Sequence, residues 1–482
     1  MKVLVANRGE IAARILRTLQ EMHVPSVAVF AEVDADAPHV WLADEAVPLG
    51  EPMAYLDASK IIEAARRTGA TAIHPGYGFL AESAPFAARV LEAGLQFVGP
   101  SPAALATFGD KRAARALAQS LGIPVVPGAT LCDTFEDIDA AAERLGYPIL
   151  LKAAGGGGGK GMRRVHARAE LAEAFAAAQR ESQNAFADAR LLVEKYIHPA
   201  RHIEVQLLGD GQRAIALGER ECSLQRRYQK LIEESPSPNI ATVLRDKLAD
   251  AAVRLAEAAG YSSAGTVEFL VAADETYYFL EVNARLQVEH PVTELCTGLD
   301  LVAQQVLIAQ GAPLPERPSL RGHAIEARLN AEAPYQGFLP ATGTLHFVDW
   351  PQRPRLRIDT GVRTGSVVTP YYDSLLAKVI AWGTTREEAR LRLVAGLRET
   401  TLVGVTTNQA FLIDLLTRPF FVSGATYTST IEGETFVAPE TPAFALAAAA
   451  RVGGAASTTK DGLRNTDQHS PWLRVGAFRM GA

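Results

Sequence analysis

Hydrophobic and polar positions alternate along this chain in two rhythms. Val3 to Ala6 is a short apolar run, and from Glu10 to Met22 the apolar residues Ile11, Ile15, Leu19 and Met22 keep helical spacing. Val27 to Phe30 reads as the next strand. A helix near Ser59 to Thr68, a strand Thr71 to Ile73, a helix Pro85 to Ala93 and a strand Leu95 to Val98 follow, the last stopping at Gly99-Pro100. Strands that alternate with helices predict a parallel sheet covered on both faces, with a ligand crevice at the carboxyl ends of its strands. Asn7-Arg8-Gly9-Glu10 and His74-Pro75-Gly76-Tyr77-Gly78 occupy two such ends. Ala104 to Leu121 predicts one alanine-rich helix carrying Lys111, and Gly122 to Gly128 a link. A smaller unit with strand Ile149 to Lys152 and helix Ala169 to Gln183 then runs to about Lys195, followed by a larger α+β unit to about Pro439. From Glu440 to Thr459 the periodicity fades and the chain reads as linker.

The most informative stretch has period two. From Phe279 to Pro291, Glu281, Asn283, Arg285, Gln287 and Glu289 alternate with Leu280, Val282, Ala284, Leu286 and Val288. In an extended strand such residues share a face, so two acids, two amides and a guanidinium would form one polar wall. The plainer reading is a half-buried strand with a solvated face, although such faces usually carry Lys, Thr and Ser. A second strand strengthens the first reading: Val267 to Val271, a turn at Ala273-Asp274-Glu275, and the return from Tyr277 to Asn283 put Glu268 opposite Glu281. Like charges facing each other across a hairpin are destabilising. With Asn283 they offer the oxygen ligands that Mg²⁺ or Mn²⁺ takes beside substrate phosphates.

Length and composition set bounds. The 482 residues suggest roughly three domains. A hydrophobic content of 48% with 21% charged residues describes a globular chain able to bury a large core. The net charge of −6 argues against general binding to nucleic acid or a membrane surface, and no apolar run approaches the ~20 residues that span a bilayer. Cys132, Cys222 and Cys296 are far apart and lack metal-type spacing, which leads to an expectation of a reducing, cytoplasmic setting.

Lys152 leads into Gly155 to Gly159, Lys160, Gly161 and Met162. Glycines let backbone N–H groups approach phosphate oxygens closely. The spacing is not that of a P-loop, because Gly161 stands where Ser or Thr is required. A glycine flap of this kind can close over a triphosphate and exclude water; a plain flexible linker is the competing reading. Gly76 to Ala81 matches a dinucleotide fingerprint, but the next strand ends without the acidic residue that fingerprint needs. Arg220 to Lys230 concentrates cations suited to phosphate or bicarbonate. Leu192 to Ile197 ends a strand in a form suited to an adenine pocket, and His202 lies in an alternating stretch, Arg201 to Gln206.

These residues together resemble biotin carboxylase, an ATP-grasp enzyme. The likeness is carried by Lys152 with its flap, Glu194-Lys195-Tyr196, Cys222-Ser-Leu-Gln225-Arg-Arg and Glu281 to Glu294. Ala6 to Ile11, His74 to Leu80, Glu326-Ala-Arg328-Leu-Asn330 and Tyr371 to Leu375 match too, so it covers about residues 1 to 440. The resemblance implies a Rossmann-like parallel-sheet domain (1–112), an ATP-grasp region (113–312, with a mobile lid over about 128–197), a C-terminal α+β biotin carboxylase domain (313–440) and a tail (441–482).

The implied reaction uses MgATP and bicarbonate to make carboxyphosphate and then carboxylates biotin held on a carrier. By resemblance Lys111, Lys152, His202, Gln225 and the flap (Gly157, Gly158, Gly159, Lys160, Gly161, Met162) bind ATP, and Glu194, Lys195, Tyr196 and Ile197 hold adenine and ribose. Glu268, Glu281 and Asn283 would hold two Mg²⁺ or Mn²⁺ ions with ATP, while Lys230, Arg285 and Val288 would hold bicarbonate. Glu289 would be the general base, Arg285 would also stabilise the biotin enolate, and Arg328 would contact biotin or its departing phosphate.

Tyr228 departs from the family, which usually has His there, and the expectation is altered nucleotide affinity rather than altered chemistry. No Ala/Val-Met-Lys-Met sequence appears, so biotin would arrive on a carrier domain or protein and pass to a carboxyltransferase subunit; a homodimer is implied. Ser470-Pro-Trp472 resembles the junction in acyl-CoA carboxylase α chains, which suggests part of a longer α subunit; a free-standing subunit is the alternative. Another ATP-grasp carboxylating ligase and a silent ATP-binding regulator are the competing functions. The first lacks the Arg285-to-Glu289 wall, and the second would have lost Arg285, Glu289 or a metal acid.

Overall fold

The strand–helix alternation at the N-terminus closes into a five-stranded sheet in a computed structural model that describes residues 1–132, 134–153, 162–186 and 189–440. The strand order is Glu45–Gly50, Ser26–Ala31, Val3–Val5, Ala72–His74 and Gln96–Phe97, with every neighbouring pair parallel. The edge strand Glu45–Gly50 and the short helix Pro38–Leu42 before it were not legible from pattern, because only Val47 and Leu49 of that strand are buried and it contains Pro48. The order reverses between Val3–Val5 and Ala72–His74, which opens the crevice expected there. Asn7 seals its floor, its Nδ2 donating to the carbonyls of Pro75 and Tyr77, both at 2.7 Å. Gly76 is required beneath it: its φ is +64°, and a Cβ would stand 3.0 Å from that same nitrogen.

The alanine-rich stretch is not one helix. It breaks into Pro102–Gly109 and Lys111–Ser120, because the Asp110 carboxylate caps the second helix by accepting from the backbone N–H of Arg112 and Ala113. Lys111 therefore begins a helix instead of sitting within one.

An eight-stranded antiparallel sheet carries the rest. Its order is Tyr277–Asn283, Ser262–Ala272, Ala200–Asp210, Ala214–Arg226, Gln229–Ser235, His323–Asn330, Leu375–Gly383 and Leu356–Thr360. Helix Thr242–Ala258 lies on it, and buried Leu248, Leu255, Val267 and Phe269 join Leu4, Val29 and Ile73 of the parallel sheet in one core. A smaller sheet, Gly128–Cys132, Leu191–Lys195, Ile149–Ala153 and Arg163–Val165, has its own core around Ile138, Leu151, Leu171 and Val193.

Residues Met1–Glu434 form one compact unit. The tail expectations, the linker beyond Glu440 and Ser470-Pro-Trp472, lie outside the described residues. Among the described residues no single helix is long and apolar enough to cross a membrane, and the cysteines are buried and form no disulfide.

Candidate active site

The hairpin forms in the expected register: Glu268 pairs directly with Glu281, and Thr266 with Asn283. The strand does not, however, continue to Pro291. It ends at Asn283, a non-helical segment follows, and Glu289 precedes helix His290–Thr297. The alternation beyond Asn283 is thus not a strand face. Its polar residues still converge, because Arg285, Gln287, Val288 and Glu289 line the same cavity of about 720 Å³ as Glu281 and Asn283.

Lys230 is the hub of that cavity. On the return strand Gln229–Ser235, its ammonium lies 2.5 Å from Glu204, 2.8 Å from Glu268 and 2.6 Å from Glu289. Burial lowers its proton affinity, but the three carboxylates outweigh that and hold it well above the ordinary lysine range. Burial would likewise raise Glu268, yet Lys230 and His202 hold it well below its ordinary range. His202 Nε2 is 3.0 Å from Glu268, and its Nδ1 is 2.8 Å from the amide nitrogen of Gln225. Asn283 and Gln287 add amide donors to Glu268 at 2.9 and 2.8 Å. Glu281 differs: burial, then repulsion from Glu268, raises its proton affinity, with Lys111 and Lys152 opposing.

At the other end, Glu289 accepts from Lys230 and, at 3.0 Å, from Arg328, whose Nε donates to Glu233 at 2.5 Å. Burial pushes Glu289 up, but Lys230, Arg328 and Arg220 prevail and keep it ionised. Arg285 donates to Glu82 at 2.9 Å and to Asn283 Oδ1 at 3.0 Å. The Val288 carbonyl accepts from Lys378 at 3.0 Å.

The cationic run Arg220 to Lys230 is split by the hairpin. Arg220 is fully buried, bonding Glu204, Gln206, Thr266, Gln287 and Thr293, so it is a structural clamp and does not supply a cation to an anionic ligand. Arg226 lies 3.8 Å over the Phe338 ring. Arg227 and Tyr228, at φ +48° and +65°, make the two-residue turn between the strands.

Lys111, Lys152, Met162, His202, Gln225, Tyr228 and Arg328 also line the cavity. Glu194, Lys195, Tyr196 and Ile197 stand outside its wall. Glu194 pairs with Lys152, Lys195 caps the carbonyls of Gly146 and Tyr147, and Tyr196 stacks on His198. Gly157, Gly158, Gly159, Lys160 and Gly161 lie outside the described residues. Sequence reasoning missed Glu204, Glu233 and Glu82, the acids that hold Lys230, Arg328 and Arg285. Glu204 carried a signal, two positions after His202 in an alternating strand; Glu82 and Glu233 carried none.

The metal question turns on donor chemistry. Two carboxylates in direct register fit a divalent cation, with Asn283 beside them, its Oδ1 here accepting from Arg285, and Glu281 gains most, since a cation relieves its repulsion from Glu268.

Three family models match the chain. They are the biotin carboxylase N-terminal domain over residues 1–105, the ATP-binding domain of the carbamoyl-phosphate synthase L chain over 110–317, and the biotin carboxylase C-terminal domain over 326–433. The mitochondrial methylcrotonoyl-CoA carboxylase subunit alpha of Oryza sativa subsp. japonica is 48% identical over 89% of this chain and 60% of its own length. The chain thus spans 60% of that relative, and because the relative is named as mitochondrial, a cytoplasmic location does not follow from family. Biotin carboxylase of Nostoc sp. is 46% identical over 89% of this chain and 98% of its own. Among solved structures, a biotin carboxylase–β-γ-ATP complex from Campylobacter jejuni superposes with a TM-score of 0.87 at 39% identity, covering 90% of this chain and 98% of that one. The biotin carboxylase domain dimer of Hydrogenobacter thermophilus 2-oxoglutarate carboxylase, with MgADP, ADP and bicarbonate, gives 0.87 at 41%, covering 90% and 97%.

Proposed function

Because this chain belongs to the biotin carboxylase family, we propose that it uses ATP and bicarbonate to carboxylate biotin presented by a carrier domain or protein. One observation carries the reading. A single buried ammonium, Lys230, joins the metal-type acid Glu268 to the base candidate Glu289, with Arg285 and Arg328 on the same cavity wall.

Glu268, Glu281 and Asn283 would hold Mg²⁺ or Mn²⁺, which supplies charge neutralisation at the transferring phosphoryl group. Lys111, Lys152, His202 and Gln225 face the same volume and add fixed positive charge and donors for the phosphates. Base and ribose are assigned to Glu194–Ile197, a placement supported by the pairing of Glu194 with Lys152.

Bicarbonate is a weak nucleophile whose proton must leave as it attacks the γ-phosphorus. Glu289 is the base, and its low proton affinity has a definite cause, namely Lys230 and Arg328. Bicarbonate drawn to Lys230, Arg285 and the Val288 backbone competes for that cationic charge, so the proton affinity of Glu289 rises as the proton arrives. Arg328 and Arg285 then face biotin, where a fixed guanidinium meets the enolate charge without reorganisation. Transfer onward to an acyl-CoA requires a carboxyltransferase subunit, and a homodimer is the assembly proposed from the dimeric Hydrogenobacter domain.

The test is bicarbonate-dependent ATP cleavage stimulated by free biotin. Glu289→Gln is expected to lower it by roughly 10²- to 10⁴-fold while leaving nucleotide binding intact. ATP cleavage indifferent to bicarbonate and biotin would overturn the assignment.

A further inference from the structure

Behind Arg328, on the side away from the cavity, two acids face each other with no room for water-like solvation. Glu233 on strand Gln229–Ser235 and Glu326 on strand His323–Asn330 are directly paired residues, and both are 0% exposed. Directly opposed like charges in a sheet repel, and in a dry interior the repulsion is far stronger than at a surface. Their neighbours do not cancel it evenly. Glu233 has one oxygen on Arg328, while its second oxygen and both oxygens of Glu326 have no hydrogen-bond partner. The adjacent Glu234, on the opposite face, is fully engaged by His323 at 2.7 Å and by Arg386 at 2.6 and 2.9 Å.

The Tyr77 phenol interacts with Glu326 and the Cys222 thiol with Glu233, both kept neutral by burial; the charged groups around the pair come from several elements. Lys230 and Glu233 come from one strand, Glu326 and Arg328 from the next, and Lys378 from strand Leu375–Gly383. Glu289 comes from the start of helix His290–Thr297. Lys378 is itself committed, at 3.1 Å from Glu10 and 3.6 Å from Asp359, with a donor on the Val288 carbonyl. Arg328 is shared between Glu233 and Glu289. No cation in this set is left over for a second ionised carboxylate.

We propose that Glu233 and Glu326 form a carboxyl dyad that shares one proton, and that this proton positions Arg328. The proposal rests on the reaction assigned above. With one proton held, a single negative charge faces the Arg328 Nε and leaves the other edge of its guanidinium on Glu289 and the cavity. When the dyad loses that proton, a second anion competes for Arg328 and draws it back from Glu289. The dyad makes and breaks no bond to substrate; Glu233 and Glu326 are positioning residues. Burial, followed by the Glu289 charge, pushes the Glu233 carboxyl up to about 7, against the pull of Arg328, and burial drives Glu326 well above its ordinary range. The pair therefore gives up its first proton near 7, from Glu233, and holds the shared one, on Glu326, to higher pH.

Infrared difference spectroscopy of the whole chain, titrated in H₂O and D₂O, reads the proton directly. A protonated side-chain carboxyl band is expected that weakens as pH rises through about 7, persists in part above it and is lost only at higher pH, the persistent part missing in Glu326→Gln. In the same variant the alkaline limb of kcat/KM for free biotin moves to higher pH, because the amide cannot ionise; a merely structural glutamate would not move that limb. No protonated carboxyl band in the wild type, the same band in Glu326→Gln, or an unmoved alkaline limb would each overturn the dyad. The titration needs no turnover, so a band present in a chain that fails to cleave ATP with bicarbonate overturns the reaction and leaves the dyad standing.

Discussion

Tyr228 shows how one side chain changes meaning between sequence and structure. In the sequence it is a departure in a run of cations; in the structure it sits at the tip of a two-residue turn, 36% exposed, on the rim of the cavity. Burial pushes its phenol up to about 12, so it is a neutral donor at any working pH. Arg164, Tyr196 and Glu432 are the charged or polar groups that act on it. Tyr228→His keeps the left-handed turn, which His tolerates, and adds a ring nitrogen toward the nucleotide. It is expected to lower KM for ATP by roughly threefold to tenfold, about one hydrogen bond, with kcat unchanged. An unchanged KM would contradict the assignment of this residue to affinity. The roles of Arg220 and Lys230 could not be separated from their chemistry alone. Strand register decides it, putting Arg220 into a closed clamp and Lys230 into the cavity.

Among the elements, the hairpin around Glu268 and Glu281 was legible because both strands alternate and the Ala273-Asp274-Glu275 turn fixes the register. The end of that strand was not. Thr266–Asn283 is the last pair of the ladder, and nothing in a period-two pattern records that a partner strand has stopped. The break at Asp110 was legible in principle, since Asp follows Gly109, but alanine propensity on both sides masked it. The turn after Ala72–His74 carries a testable charge. The Nδ1 of His74 accepts from the Gly76 N–H at 3.1 Å, and burial pushes the imidazole down from 6.5 to about 4. Between those values the unfolded chain binds a proton that the folded chain refuses. Stability is full above pH 6.5 and falls toward pH 4, by about 3 kcal/mol for this residue. His74→Asn retains an acceptor for Gly76 and is expected to flatten that part of the curve. Denaturant melts with equal acid slopes for the two proteins would refute the assignment.

In the molecule as a whole, the sheet ignores the divisions that motifs suggest. Strand Gln229–Ser235 lies within the ATP-binding match and strand His323–Asn330 reaches into the C-terminal match, yet they pair edge to edge from Ser235–Ala324 to Ile232–Ala327. Sequence motifs mark candidate residues on each side; no local pattern shows that both sides share one ladder, because pairing across such a distance leaves no periodic trace. A chain cut at residue 320 would leave Gln229–Ser235 as an open edge and would lose Arg328. Such a fragment is expected to self-associate and to lack bicarbonate-dependent ATP cleavage, as size-exclusion chromatography and a phosphate-release assay would show. A monomeric, active fragment would contradict the shared-sheet picture.

The three-way seat of Lys230 has a thermodynamic consequence. In the proposed reaction Glu268 would serve a cation while it pairs with Lys230, and Lys230, paired also with Glu289, would serve bicarbonate. A dication that draws charge from Glu268 loosens its hold on the ammonium and frees Lys230 to meet a second anion. Whatever factor the cation adds to bicarbonate affinity, bicarbonate must return to cation affinity. The two ligands are linked through one amine, so neither dissociation constant is a property of its own site alone.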